Sequence, residues 1–213
     1  MKTLNVNING NKKLVNNDKV RFLIWNLPSV KTCPFATELC KKSCYAKKAE
    51  AVYPSVLPSR ETNYNDSLQA DFVANMIFTI EKYRASKAFC GRLMVVRIHE
   101  SGDFYSKDYA QKWLAIIRHF ADDNTIIFHC YTKSLLYFEG ENVKQYKNLA
   151  FIASVWADTD EKAKALIVKN EYRIYTAVDS FENWTGAKCR CSDCAHCMQC
   201  MNNNCSSIAC EIH

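Results

Sequence analysis

The 213-residue chain is short of glycine and proline and has no long apolar run, and each shortage excludes something. Five glycines leave little material for a Gly-rich phosphate loop, and no such fingerprint follows any apolar segment. Four prolines and no low-complexity stretch exclude a Pro-rich linker or a fibrous architecture. No stretch approaches the roughly 20 apolar residues of a membrane span. The opening MKTLNVNINGNKKLVNNDK also lacks the apolar core that a secretion signal needs. The expectation is a cytoplasmic chain without a membrane partner.

What the chain has in excess is sulfur. Apolar residues are 48% and charged residues 23%, ordinary for a globular domain, yet there are twelve cysteines, seven of them in the last 25 residues. A reducing compartment makes such a block a metal site rather than a set of bridges. Charge is uneven as well. Residues 1–60 hold eleven Lys or Arg against Asp18, Glu38 and Glu50, a balance of +8, whereas the rest of the chain has seventeen against nineteen. Lys31, Lys41, Lys42, Lys47 and Lys48 flank the first cysteines. They read either as solvated cations or as a face for an anionic partner, nucleic acid or an acidic electron donor.

Short apolar runs alternate with amphipathic segments. VRFLIW (20–25), RLMVVRIH (92–99), IIFHCY (126–131), LAFIASVW (149–156) and YRIYTAV (172–178) read as strands. Helices are expected at 60–85 with Ser59 as N-cap, at 107–121 capped by Ser106, at 134–146 with Gly140 as an interruption, and at 160–169. Five strands separated by helices make an α/β chain with a parallel sheet, a partial (β/α) barrel or an open doubly wound sheet, and both present chemistry at the C-terminal strand ends. The expected division is an α/β domain over 1–178, of the partial-barrel kind, and a cysteine-rich tail over 179–213 that metal must organise.

Two constellations carry the chemistry. Cys33, Cys40 and Cys44 follow the first strand; three thiolates there suit a [4Fe-4S] cluster with one open iron, or zinc given a fourth ligand such as His99. Cys189, Cys191, Cys194, Cys197, Cys200, Cys205 and Cys210 form the second. Spacings of two within 191–200 resemble those of ferredoxin segments, and seven thiolates suffice for one complete cluster with three left for another, with His196 or His213 as further ligands; a zinc module is the alternative. Cys90 and Cys130 are expected to pack as small apolar residues.

The triad, ending KKSCYA after a first strand, resembles radical S-adenosylmethionine (SAM) enzymes, although the x6 and x3 gaps differ from the usual x3 and x2. The stretches KTCPFATELCKKSCYAKKAE, YPSVLPSRETNY, RIHESGDFYS and YTKS, with the cysteine-rich end, resemble a phage and prophage family called gene product 88. The radical SAM resemblance implies Cys33, Cys40 and Cys44 as cluster ligands, SAM on the open iron, and a 5'-deoxyadenosyl radical as oxidant. At the strand ends, His99, Glu100, Asp103, Tyr131 and Lys133 are candidate catalytic groups, and Glu100, Ser101 and Asp103 candidate cofactor contacts, with helix capping and core packing as the plainer roles. The reading is an iron-sulfur redox enzyme of radical-SAM-like type with auxiliary clusters; the alternative is a zinc or iron-sulfur protein that binds nucleic acid without catalysis.

Overall fold

The computed structural model describes residues 1–10, 12–190, 192–202 and 206–212. Seven strands form one open, wholly parallel sheet. They are β1 (Val20–Trp25), β2 (Leu93–Ile98), β3 (Ile126–Thr132), β4 (Leu149–Val155), β5 (Arg173–Val178), β6 (Ala187–Lys188) and β7 (Ser207–Glu211). The spatial order is β1-β2-β3-β4-β5-β7-β6, so the first five strands stand in the order in which they occur in the chain. The last two come from the cysteine-rich segment, which adds strands the sequence pattern does not show because each is short, two and five residues long.

Right-handed crossovers between successive neighbours put the connecting helices on one face of the sheet. That face carries Leu23, Trp25, Val96, Ile98, Phe128, Cys130 and Phe151. They pack against Phe72, Met76 and Ile80 of α4 (Phe72–Ala85) and Trp113, Leu114 and Ile117 of α5 (Lys107–His119). The opposite face has a smaller apolar cluster: Val20, Phe22, Ile24 and Val95 meet Leu14 and, from the cysteine-rich segment, Ala195 and Met201. In register with Ile24 on this face lie Arg97 and His129, a polar pair on the side away from α4 and α5.

Several boundaries differ from the sequence reading. The expected helix at 60–85 is two, α3 (Val56–Leu68) and α4, with Gln69 extended between them. Pro58 lies in the first turn of α3, where its missing N–H has no intrahelical partner to lose, so the helix begins before Ser59 rather than at it. The expected helix at 134–146 is two short 3-10 turns, Leu135–Phe138 and Val143–Gln145, separated by Gly140 at φ +86°. Ser106 caps α5 through the Tyr109 amide, and Asp160 caps α6 (Glu161–Asn170) through the Ala163 amide. Cys130 is buried as expected, but Cys90 is exposed, in the turn between α4 and β2 rather than under either.

The loop that follows β1 is tied to the helices by charge. Glu50 of α2 (Tyr45–Val52) accepts from the Ser29 amide at 2.8 Å and hydroxyl at 2.5 Å, and pairs with Arg60 of α3 at 2.7 Å. Burial raises the Glu50 carboxyl, but the Ser29 and Arg60 bonds win and hold it below the usual glutamate range. The stability it contributes is therefore full above the unfolded glutamate pKa of about 4.3 and is lost as pH falls through the lower folded value. Thermal melts of the wild type and Glu50→Gln should differ at neutral pH and converge in acid; a pH-independent gap contradicts the assignment.

Candidate metal centre and ligand cavity

The first cysteines sit on a loop and two short helices beyond the C-terminal end of β1. Cys33 follows a tight turn in which its amide bonds Val30 O, Val30 itself being left-handed at φ 61°. Thr37 caps α1 (Glu38–Lys42) by accepting from the Cys40 amide, and Cys44 stands at the N-cap of α2. All three cysteines line one cavity. Burial, then the Asp103 charge, push the Cys33 thiol up to about 12, with Cys40 and Cys44 adding repulsion. Burial also raises Cys40, against the hydrogen-bonding Lys133 ammonium.

The second set crosses the other face of the sheet. Asp193 caps the single turn Cys194–Cys197 through the Ala195 and His196 amides, and the Cys194 amide bonds Lys13 O at 2.7 Å. Arg173 of β5 holds the following turn by donating to Cys200 O at 2.9 Å and Gln199 O at 3.2 Å. Burial, followed by repulsion from Cys200 and Cys189, pushes Cys194 up to about 11. Cys200 is raised by burial although the Tyr131 hydroxyl hydrogen-bonds it. Cys210 of β7 is raised, first by its hydrogen bond with Cys189 and then by burial, and the Tyr175 hydroxyl bonds it in opposition. Cys191, Cys205 and His213 lie outside the described residues.

Both sets line one cavity of about 570 Å³ above the C-terminal strand ends, the triad on one side and Cys189, Cys194, Cys197, Cys200 and Cys210 on the other. The sequence places the two groups 145 residues apart, and the parallel sheet folds them onto a shared space. Among the described residues, no three Cys, His, Asp or Glu side chains are gathered closely enough to hold a single metal ion.

The polar strand-end residues fall into two groups. Asp103 is buried, and its carboxylate accepts from Thr132 Oγ1 at 2.6 Å, the Lys133 amide at 2.9 Å and the Phe104 amide at 2.8 Å, which fixes the β2 and β3 ends together. Burial outweighs those bonds and raises its pKa. Ser101 is likewise tied, donating to Leu27 O at 2.9 Å while its amide takes Asn26 Oδ1. Glu100 lines the cavity, accepts from Asn26 Nδ2 at 3.3 Å, and its carbonyl receives the Tyr45 hydroxyl. Lys133 Nζ donates to Ser154 Oγ at 2.8 Å and stands 5.4 Å from the Trp156 ring.

His99 is both buried and strained, at φ 64°. Trp25 Nε1 donates to Tyr109 Oη at 2.9 Å, so the Tyr109 proton goes to His99 Nε2 at 2.8 Å, and Nδ1 carries the ring proton without a partner among the described residues. Burial and the Arg97 charge lower its pKa to about 3, so the ring is neutral. Tyr109→Phe should cost about 1–3 kcal/mol by stranding Trp25 Nε1 and His99 Nε2; a melt equal to the wild type would refute this chain of bonds.

Sequence reasoning missed Arg97, His129 and Tyr175. Each is a polar residue inside an apolar strand on the face opposite α4 and α5, and that interruption was the available signal. Together these features define a class: a parallel α/β protein with two separate cysteine groups on one ligand-sized cavity. The chain belongs to the gene product 88 family, whose pattern matches residues 3–211. It is 30% identical over 145 residues to the Gene 88 protein of Mycobacterium phage D29, covering 63% of this chain and 56% of that protein. It is also 30% identical over 148 residues to the Gene 88 protein of Mycobacterium phage L5, with the same coverage. The chain thus spans little more than half the length of these relatives. No solved structure matches it.

Proposed function

We propose that this is an iron-sulfur redox protein in which Cys33, Cys40 and Cys44 hold one [4Fe-4S] cluster and the C-terminal cysteines at least one more, both facing a substrate in the shared cavity. The observation that carries the reading is that eight described thiols from two distant segments line the same space. A four-iron cluster is wider than a single ion, so thiols spread along a cavity wall suit it better than they suit tetrahedral zinc. When bound, a three-thiolate cluster supplies an open iron for a chelating molecule and a fully ligated one supplies an electron. The in-sequence order of β1 to β5, with α4 and α5 packed on one face, also supports the partial-barrel form of the α/β fold. The C-terminal segment then acts as the metal-organised cover of the inner face.

The chain's own residues prepare that space. Lys133 places a cation against Cys40, and Tyr131 and Tyr175 direct hydroxyls at Cys200 and Cys210, contacts of the kind that set cluster potentials. The neighbouring helices leave Lys42, Lys47 and Lys48 exposed and, among the described residues, unpaired, beside exposed Leu39, Tyr45 and Tyr53. This face suits an acidic electron-donor protein. No described helix is long and apolar enough to cross a membrane.

Anaerobically purified protein should be brown and contain iron and acid-labile sulfide; stoichiometric zinc without iron overturns the proposal. Its radical-SAM-like form makes a separate demand, release of 5'-deoxyadenosine on reduction with SAM. That release should disappear in Cys40→Ala.

A further inference from the structure

We propose that the cavity binds a small carboxylate with an apolar body, and that the Arg97 guanidinium is the group that receives the carboxylate. This deepens the reading above by naming its substrate class, and rests on it only for the cavity being where reaction occurs.

Arg97 is 7% exposed and lines the cavity, yet among the described residues no Asp or Glu forms an ion pair with it. A buried cation without an anion is costly, so the fold must either offer one or keep a place for one. The side chain is held still. Nη1 bonds the His129 ring at 3.2 Å, that ring being buried and neutral, and the guanidinium lies 4.3 Å from the centre of the Tyr131 ring. Its hydrogen bonds among the described residues are made by Nη1, which leaves Nε and Nη2 without one on a side chain that lines the cavity. These two nitrogens form the parallel donor edge that matches the two oxygens of a carboxylate.

The neighbouring groups narrow the ligand. Arg97 acts on Cys194 and Cys200 through its charge alone, with a hydrogen bond to neither, whereas Tyr131 hydrogen-bonds Cys200 and Lys133 hydrogen-bonds Cys40, so the donor edge of Arg97 is not taken by a thiol. Asp103 and Glu100 on the same cavity disfavour a dianion such as phosphate. Tyr131, Tyr175, Trp156, Met198 and Met201 supply aromatic and thioether surface for an apolar body, within a volume typical of small-molecule sites.

The test is calorimetry on the anaerobically purified full chain with 3-phenylpropionate, 3-phenylpropionamide and inorganic phosphate as probes, alongside iron analysis. The acid should bind and the amide and phosphate should not. Arg97→Met should weaken the acid about tenfold or more, and Arg97→Lys less, with iron content unchanged. Equal binding of acid and amide, preference for phosphate, or no binding to an iron-loaded chain overturns the inference while leaving the cluster reading intact. Loss of iron in Arg97→Met makes the residue a counter-charge for the metal and overturns it too, as does displacement of the acid by SAM. Arg97-dependent acid binding to a chain without iron supports the carboxylate site and sinks the clusters instead. The acid-amide comparison on the wild type decides the matter even where Arg97→Met fails to fold.

Discussion

Anaerobically purified Cys40→Ala is expected to lose about four irons per chain while keeping its fold, and Cys197→Ala/Cys200→Ala to lose a similar number together with the order of the C-terminal segment. The asymmetry comes from packing. Cys40 sits in α1, whose N-terminal end is fixed by the Thr37 cap, and the next helix α2 is tied through Glu50 to Ser29 and to Arg60 of α3, so the loop has support that does not depend on metal. Between β6 and β7 the C-terminal segment offers Ala195 and Met201 as its buried apolar anchors among the described residues, with Cys194, Met198 and Cys200 partly buried beside them, while β7 is held separately by its pairing with β5. Removing its ligands should therefore open it to limited proteolysis around residues 189–202. Equal protease resistance in the two variants would show that metal does not organise that segment.

Gly102→Ala is expected to destabilise the chain by about 2–5 kcal/mol, combining left-handed backbone strain with overpacking. Gly102 has φ +86°, and an added Cβ would stand 2.6 Å from both Leu27 Cβ and Thr32 Oγ1. Those two residues belong to the loop that carries Cys33, and Asp103 donates its amide to Thr32 O at 3.2 Å from the same turn. The glycine thus lets the end of β2 dock against the cysteine loop. Gly140→Ala is the control: its φ is also +86°, but nothing lies within 4 Å, so only the strain of about 1–2 kcal/mol should appear. Similar losses at both positions would show that the close approach at Gly102 has no energetic weight.

The five long strands, the two capped helices α5 and α6, and the cysteine groups were legible because each rests on local pattern: apolar runs, an N-cap residue, a spacing. The break between α3 and α4 was not, since Leu68 continues the helical periodicity yet is 51% exposed. The pairing of β7 with β5 was not either, because a register such as Tyr175 against Ile208 depends on chain closure over more than thirty residues. At the site, residue types announced the ligand candidates but not their arrangement. HESGD contains Asp103 and Ser101, whose polar atoms are taken up in joining strand ends, while the cavity floor is built from Arg97 and His129, which the apolar runs RLMVVRIH and IIFHCY concealed. Which face of a strand meets helices is set by topology, and topology was the part the pattern left open between two sheet types.

The central claim is that two metal clusters share one cavity. Electron paramagnetic resonance of the dithionite-reduced wild type, Cys40→Ala and Cys197→Ala/Cys200→Ala tests it most directly. The account predicts a broadened, spin-coupled wild-type spectrum that resolves into a simple single-cluster signal in each variant. A wild-type spectrum equal to the sum of the two variant spectra, or no iron-sulfur signal in any of them, would contradict it.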